Sequence, residues 1–290
     1  MNILLNEKIN EYINKYDLNS LDIIEDAREF VIMLISDITG YTVIDIKLGK
    51  VKINDTDLLK LDKMLYRISN DKIPPEYLTN VSYLYGMRLF VNENVLIPRQ
   101  DTETLIEHSI KTINENGYKS LLDLCTGSGV IGIACANNSC IKDVTLLDFS
   151  DEALKVTKKN VEILDKNFKC KIIKSNMFNE LYKMNYKYDI IVSNPPYLTK
   201  DEMNEISDFV KKEPSIALDG GLDGHSFYNN IFENARNFLN NNGFIAVEIG
   251  YRQADDVVKI IKKYSEYSDI KVIKDINNKD RVVTCHFQKI

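Results

Sequence analysis

Asn194-Pro195-Pro196-Tyr197 directly follows an apolar run, Asp189-Ile190-Ile191-Val192-Ser193, that reads as a buried strand. The two prolines fix the backbone and remove two N–H donors, so nearby carbonyls stay free to accept hydrogen bonds. The tyrosine ring offers a flat surface for a flat group. A side-chain amide, bare carbonyls and an aromatic face at the end of a strand suit the holding of a planar nitrogen. They contribute little to building a fold.

A second constellation lies upstream. Leu122-Asp123-Leu124-Cys125-Thr126-Gly127-Ser128-Gly129 reads as a strand running through a loop of small residues into a helix. Such a loop lets a ligand approach the backbone, and the helix N-terminus favours an anion. Asp148 closes the next apolar run, Leu146-Leu147-Asp148-Phe149, where a carboxylate can accept both hydroxyls of a ribose. Two cofactors suit this arrangement. Gly127-Ser128-Gly129-Val130-Ile131-Gly132 matches the dinucleotide pattern, with Asp148 about 20 residues on. Asp123-x-Cys125-x-Gly127-x-Gly129 matches the acidic and glycine-rich loop of S-adenosylmethionine-dependent methyltransferases, with cysteine in place of the first glycine. A tight strand–helix turn without any ligand would use the same loop. Nothing in the later strands supplies a hydride-transfer site, and Asn194–Tyr197 at a further strand end favours methyl transfer.

The elements that must position these residues fall into two patterns. In residues 1–75 the apolar positions recur at helical spacing. Leu5, Ile9, Tyr12, Ile13 and Tyr16 mark one helix. Ser20-Leu21-Asp22-Ile23 has capping character for a second, which runs through Ala27, Phe30, Val31 and Leu34 and stops at Thr39-Gly40. A third follows Asn54-Asp55-Thr56. In residues 76–100, Tyr83-Leu84-Tyr85 and Leu89-Phe90-Val91 flank Gly86 as a hairpin linker. Asp101 or Thr102 is the expected cap of the helix that begins residues 101–290.

From there strands and helices alternate. Strands are expected over 120–124, 144–147, 171–174, 188–193, 244–248, 269–274 and 281–287. Helices are expected over 130–136, 151–164, 226–239 and 254–264. Alternation of this kind gives an open, mostly parallel sheet covered by helices on both faces, which binds ligands at the carboxyl ends of its strands. The expected fold is α/β: a Rossmann-like class I methyltransferase core, a small all-helical N-terminal domain and a connecting β-hairpin.

The chain has 290 residues, 44% hydrophobic and 28% charged, which suits a globular protein with a main and a smaller domain. A net charge of −6 argues against wrapping duplex nucleic acid. Lys158-Lys159 and Lys211-Lys212 read as solvated lysines. No apolar run is long enough to span a membrane, and Met1–Lys8 lacks the pattern of a signal peptide. Five scattered cysteines and three histidines suggest reduced thiols in a cytoplasmic protein, with no metal site.

The chain resembles the peptide chain release factor N5-glutamine methyltransferases over essentially its whole length. Asn-Pro-Pro-Tyr alone marks a broader group that methylates amide or amino nitrogens, including adenine N6. The narrower resemblance rests on Leu96-Ile97-Pro98-Arg99-Gln100-Asp101-Thr102-Glu103, on Glu213-Pro214 with Ala217–Gly224, on Val247-Glu248-Ile249-Gly250, and on Lys274-Asp275 with Asp280–Val283. It implies methyl transfer from S-adenosylmethionine, leaving S-adenosylhomocysteine, to the glutamine nitrogen of the Gly-Gly-Gln motif in class-1 release factors. It maps cofactor contacts to Cys125, Thr126, Gly127, Ser128, Gly129 and Asp148, adenine contacts to Asn176 and Met177, and substrate contacts to Asn194, Pro195, Pro196 and Tyr197. Asn194 faces both ligands in this reading, and Asn194, Pro195 and Tyr197 are the catalytic set.

The implied partner is a release factor, with no stable nucleic acid and no membrane, and the protein is expected to be a monomer. Methylation of a ribosomal-protein glutamine or of adenine in DNA or RNA would use the same four residues. Gln100, Cys125 and Asn176 depart from the family pattern; Cys125 is tolerated if its φ is negative. Asn194 Oδ1 and the Pro195 carbonyl are expected to accept the two amide N–H bonds of the substrate, with Tyr197 on the amide plane. No side-chain base is evident. Arg99 and Glu103 shape the cavity or pair with each other across a helical turn. His225 reads as a residue at a helix start, His108 and His286 as helix-face and strand residues. Tyr83 and Tyr85 read as packing residues.

Overall fold

A computed structural model describes residues 3–164 and 168–289, and they form two units. One comprises residues 1–80 with 208–212; the other comprises 81–207 with 213–290. Readings that fell on Met1, Asn2, Asp165–Asn167 and Ile290 lie outside the described residues.

The first unit is helical: α1 (Ile3–Lys15), α2 (Ala27–Thr39), α3 (Val43–Lys47), α4 (Asp55–Asp71) and α5 (Pro75–Thr79). Asn54 and Asp57 form a reciprocal capping box that starts α4. The start expected at Ser20 is instead a 3-10 turn, Leu18–Ser20. The cap of α2 is Asp26, whose carboxylate accepts from the N–H groups of Arg28 and Glu29. Ile9, Leu18, Val31, Leu65 and Ile68 are fully buried in this unit's core, each worth about 1.5–3 kcal/mol of burial. Phe209, far along the chain, is buried among them.

The second unit carries the hairpin β1 (Val81–Leu84) and β2 (Met87–Phe90), so the expected linker clusters with the sheet. Tyr85 and Gly86 both have positive φ, as a two-residue hairpin turn requires. Tyr83 is 62% exposed, against the packing role expected of it. Next come α6 (Glu103–Asn116), β3 (Ser120–Leu124), α7 (Val130–Asn138), β4 (Asp143–Asp148), α8 (Asp151–Leu164) and β5 (Lys169–Lys174). Then follow β6 (Tyr188–Ser193), α9 (Glu202–Glu205), α10 (Ser226–Ala235), β7 (Leu239–Glu248), α11 (Ala254–Ile261), β8 (Tyr267–Lys274) and β9 (Asp280–Phe287). The helix expected to reach Leu239 ends at Ala235, and β7 begins at Leu239. Asn240-Asn241-Asn242-Gly243 reads as a turn, and the ladder absorbs it as a register shift opposite Tyr188–Ile190.

The sheet order is β5-β4-β3-β6-β7-β9-β8, parallel through β7 and antiparallel at β9 and β8. Alternate residues face opposite sides. Leu122, Leu124, Ile191, Ile245, Val247 and Val283 form one core with Tyr228, Ile231 and Phe232 of α10 and Val257 and Ile261 of α11. On the other face α7 lies so close that a side chain at Gly132 would strike Leu146. The chain runs from β3 outward to β4 and β5 on one side, then crosses back so that β6 pairs on the other side of β3. The carboxyl ends of β3 and β6 therefore flank the topological switch point.

Candidate active site

Leu124 pairs with Ser193 at that switch point, and the Ser193 hydroxyl donates to the Leu124 carbonyl at 2.6 Å. The loop after β3 and the tetrapeptide after β6 thus emerge side by side. Between them opens a cavity of about 310 Å3, within the size range of small-molecule sites. Its wall includes Cys125, Thr126, Gly127, Ser128, Asp148, Asn176, Met177, Asn194 and Pro196. Gly129, Pro195 and Tyr197 lie outside that wall. Leu96, Pro98, Thr102, Phe149 and Phe227 belong to it as well.

The loop is braced from beneath. Asp123 is fully buried; its Oδ2 accepts from Thr126 Oγ1 at 2.6 Å and from Gly132 N at 2.9 Å. Its Oδ1 is buried with no partner among the described residues. Desolvation pushes this carboxyl up to about 7. Asp148 accepts from Gly127 N at 2.9 Å and Ser150 N at 2.9 Å, one bond on each oxygen. Each oxygen keeps a lone pair for a ligand hydroxyl. Burial also raises Asp148 above the usual carboxylate range. Asn160 of α8 donates to the carbonyls of Ser128 at 2.8 Å and Phe90 at 2.9 Å, and accepts from Phe90 N at 2.7 Å. One buried amide therefore ties hairpin and loop to the same helix.

Cys125 has φ 60°, against the negative φ expected for it. It occupies the left-handed position that glycine fills without strain. Its thiol sits 4.0 Å from the Met177 sulfur, and desolvation pushes it well above the ordinary thiol range.

Asn194 is half-buried, with Nδ2 3.4 Å from Thr102 Oγ1. The Pro195 carbonyl accepts no hydrogen bond among the described residues. Tyr197 is half-buried and packs on the sheet core; desolvation and the Glu248 charge push its hydroxyl up to about 12. Gln253 holds the tetrapeptide's far end: its amide donates to the Tyr197 carbonyl at 3.0 Å and accepts from Gly250 N at 3.0 Å. The Leu218–Gly224 loop lies on the same stretch, with Leu198 N donating to Leu218 O at 2.9 Å and Gly220 N to Leu198 O at 2.8 Å. A Cβ at Gly220 would lie 2.7 Å from the Tyr197 backbone, so only glycine lets the loop approach.

Arg99 and Glu103 do not pair with each other. Arg99 pairs with buried Glu213, which also accepts from Ile97 N at 3.0 Å, while Glu103 accepts from Tyr85 N at 2.9 Å. Neither Asp101 nor Thr102 caps α6 with its side chain; the chain enters through a 3-10 turn after extended Arg99. His225 stands at the start of α10, as expected, within 4 Å of Asp223 and Asp256 carboxylates. His108 and His286 pack on Phe244. Sequence reasoning missed Gln253, and it named Glu213 and Glu248 within the motifs of the resemblance but assigned neither a role. The one available signal was a carboxylate closing an apolar strand run, which Glu248 shares with Asp148.

The methyltransferase small domain family matches residues 100–222. A release factor glutamine methyltransferase from Fusobacterium nucleatum is 39% identical over 80% of this chain and 65% of that protein. One from Borreliella burgdorferi is 36% identical over 95% of this chain and 93% of that protein. Among solved structures, a methyltransferase from Pyrococcus furiosus superposes with a TM-score of 0.54 at 19% identity. It covers 82% of this chain and all of that one. That likeness speaks to the fold: a class I methyltransferase sheet with flanking helices.

Proposed function

This chain belongs to the release factor glutamine methyltransferase family, and from that membership we propose how its cavity methylates a glutamine side-chain nitrogen on a class-1 peptide chain release factor. The observation that carries the reading is the juxtaposition of the β3 loop and Asn194 across one cavity, set by the Leu124–Ser193 pair.

S-adenosylmethionine, when bound, supplies a methyl group on a sulfonium. The residues fit it: Asp148 at a strand end has free lone pairs for a ribose, and Asn176 and Met177 line the adjoining wall. Cys125, Thr126, Gly127, Ser128 and Gly129 bring backbone rather than bulk to that side.

An amide nitrogen is a weak nucleophile because its lone pair is delocalised. Asn194 Oδ1 and the Pro195 carbonyl accept the two N–H bonds of the substrate amide. They favour the positive charge that grows on nitrogen as the new bond forms, and the surplus N–H proton is then released to water. Pro196 supplies part of the wall, and the half-buried Tyr197 ring packs beside the plane of the incoming amide. The remaining contribution is alignment of donor and acceptor. The helical unit supplies grip on the protein substrate.

The test is transfer of labelled methyl from S-adenosylmethionine. A purified release factor should be labelled, and the same factor with its Gly-Gly-Gln glutamine changed should not. Label in a ribosomal protein alone, or in DNA alone, overturns the substrate assignment. Asn194→Ala should lower kcat at least 100-fold, the scale of losing an oriented acceptor in a preorganised site. Its cofactor affinity should change little, and full turnover in that variant defeats the mechanism. Removal of residues 1–80 strips Phe209 of its core, so a Phe209→Ser change should accompany the cut. That form should bind cofactor yet methylate the intact factor poorly.

A further inference from the structure

Ser193 pairs with Val247 in the parallel register of β6 and β7, so Asn194, the first residue past β6, lies beside Glu248, the last residue of β7. Glu248 is 2% exposed, and its Oε2 is buried without a hydrogen-bond partner among the described residues. The groups that face it come from every element around it. Thr102 and Asn194 are the polar neighbours that favour its charge, with Arg281 of β9, while Asp101 opposes it. The Arg281 guanidinium is already engaged with Asp101 at 2.9 Å and Asp275 at 3.2 Å. The Tyr228 hydroxyl of α10 donates to the Glu248 backbone carbonyl at 3.1 Å rather than to its carboxylate. Tyr197 feels the Glu248 charge from the tetrapeptide.

An asparagine amide has a donor end and an acceptor end of nearly equal size, and the acid–base chemistry of the site depends on which one faces the substrate. With Nδ2 toward the cavity, Asn194 would oppose donor to donor against a substrate amide. A hydroxyl such as Thr102 Oγ1 donates or accepts and so imposes no choice. A carboxylate only accepts. We propose that Glu248 is the positioning residue that holds Asn194 Nδ2 inward, leaving Oδ1 turned to the substrate nitrogen. The assignment rests on the glutamine-methylation reading for its catalytic consequence, but not for its structural content.

The consequence is a dependence on pH. Ionised Glu248 can only accept; protonated, its O–H donates and can hold Oδ1 instead, which lets the amide turn over. Desolvation pushes Glu248 up to about 7, so the change falls in an accessible range. Activity should therefore be present above about pH 7 and fall below it.

The experiment compares wild type with Glu248→Gln, which keeps volume but has both a donor and an acceptor end. At saturating factor and cofactor, wild-type kcat should rise across pH 6–8 to a plateau. Glu248→Gln should be about tenfold slower at the plateau, the scale of one oriented hydrogen bond, and lack the acid limb. Affinity for S-adenosylhomocysteine should stay within about twofold, because Glu248 itself lies outside the cavity wall. A second readout needs no substrate: the Asn194 side-chain amide resonance, identified by its loss in Asn194→Ala. It should shift with pH over the same range in wild type and stay fixed in Glu248→Gln. Glu248→Gln with wild-type kcat and an unchanged acid limb overturns the proposal, as does a wild-type Asn194 resonance indifferent to pH. If wild type methylates no release factor, the substrate reading falls and the resonance titration still decides Glu248.

Discussion

Cys125 shows what a single backbone angle can reverse. At φ 60° a side chain is strained by about 1 kcal/mol or more, so the usual order of alanine over glycine should invert there. Cys125→Gly relieves that strain but gives up the thiol's contact with Met177, effects of similar size. Cys125→Ala gives up the contact and keeps the strain. Thermal unfolding should then rank Cys125→Gly above Cys125→Ala by about 1 kcal/mol. Alanine equal to or above glycine would mean the loop relaxes out of the left-handed region. The substitution itself was plain in the sequence, because a cysteine stood where a glycine was expected. Its φ was not, since the angle is set by the path from Leu124 into a loop pinned by Asp148 and Asp123. Asn194 and Asp148 were legible for the opposite reason: both are polar residues closing apolar strand runs, and the pattern carries the position.

A long-range acceptor helps hold the strip ahead of α6. Glu213 is buried and receives both the Ile97 N–H and the Arg99 guanidinium across more than a hundred residues of chain. Val95, Leu96 and Pro98 in that strip form part of the cavity wall. Glu213→Ala leaves a buried N–H unpaired and a cation without its partner, a loss of about 2–3 kcal/mol. Stability should fall by that amount and KM for the cofactor should rise, because the wall loosens. Glu213→Gln keeps an acceptor for Ile97 and should recover most of the stability. If Glu213→Ala melts like wild type, the strip is held by something else. The alternating strands and helices were legible because period and length report them directly. The start of α4 was legible after Asn54-Asp55-Thr56, and the structure adds the capping box that Asn54 and Asp57 close there. Capping misled at Ser20, where Asp26 competes for the same helix. The roles of Glu213, Gln253 and Glu248 escaped because their partners are set by the fold and lie far away in sequence.

Across the whole molecule the buried acids decide how stability follows pH. Asp123 and Glu248 are pushed up to about 7 and Asp148 is raised, all chiefly by desolvation. A carboxyl whose folded pKa lies above its unfolded value of about 4 stabilises the fold while protonated and loses that contribution as pH rises from about 4 to about 7. Asp189, held by the Lys119 and Ser120 N–H groups, the Ser120 hydroxyl and the Asn240 amide, is lowered, and Asp275 is lowered by backbone bonds and Arg281. Their stabilisation is present above about pH 4 and lost as pH falls through their folded values. His108 is lowered by burial, so its neutral form favours the fold and its contribution is lost below about pH 6.5. One half-buried histidine opposes three buried carboxyls over the interval between, and the carboxyls outweigh it. The net charge of −6 adds self-repulsion in the same direction as pH rises. The ligand-free protein should therefore melt highest near pH 5 and about 5 °C lower at pH 8, roughly 2 kcal/mol for a chain of this size. Glu248→Gln should lessen the decline, since its side chain cannot ionise. A midpoint that climbs steadily from pH 5 to pH 8 would show that these acids are paired or hydrated more fully than their burial indicates.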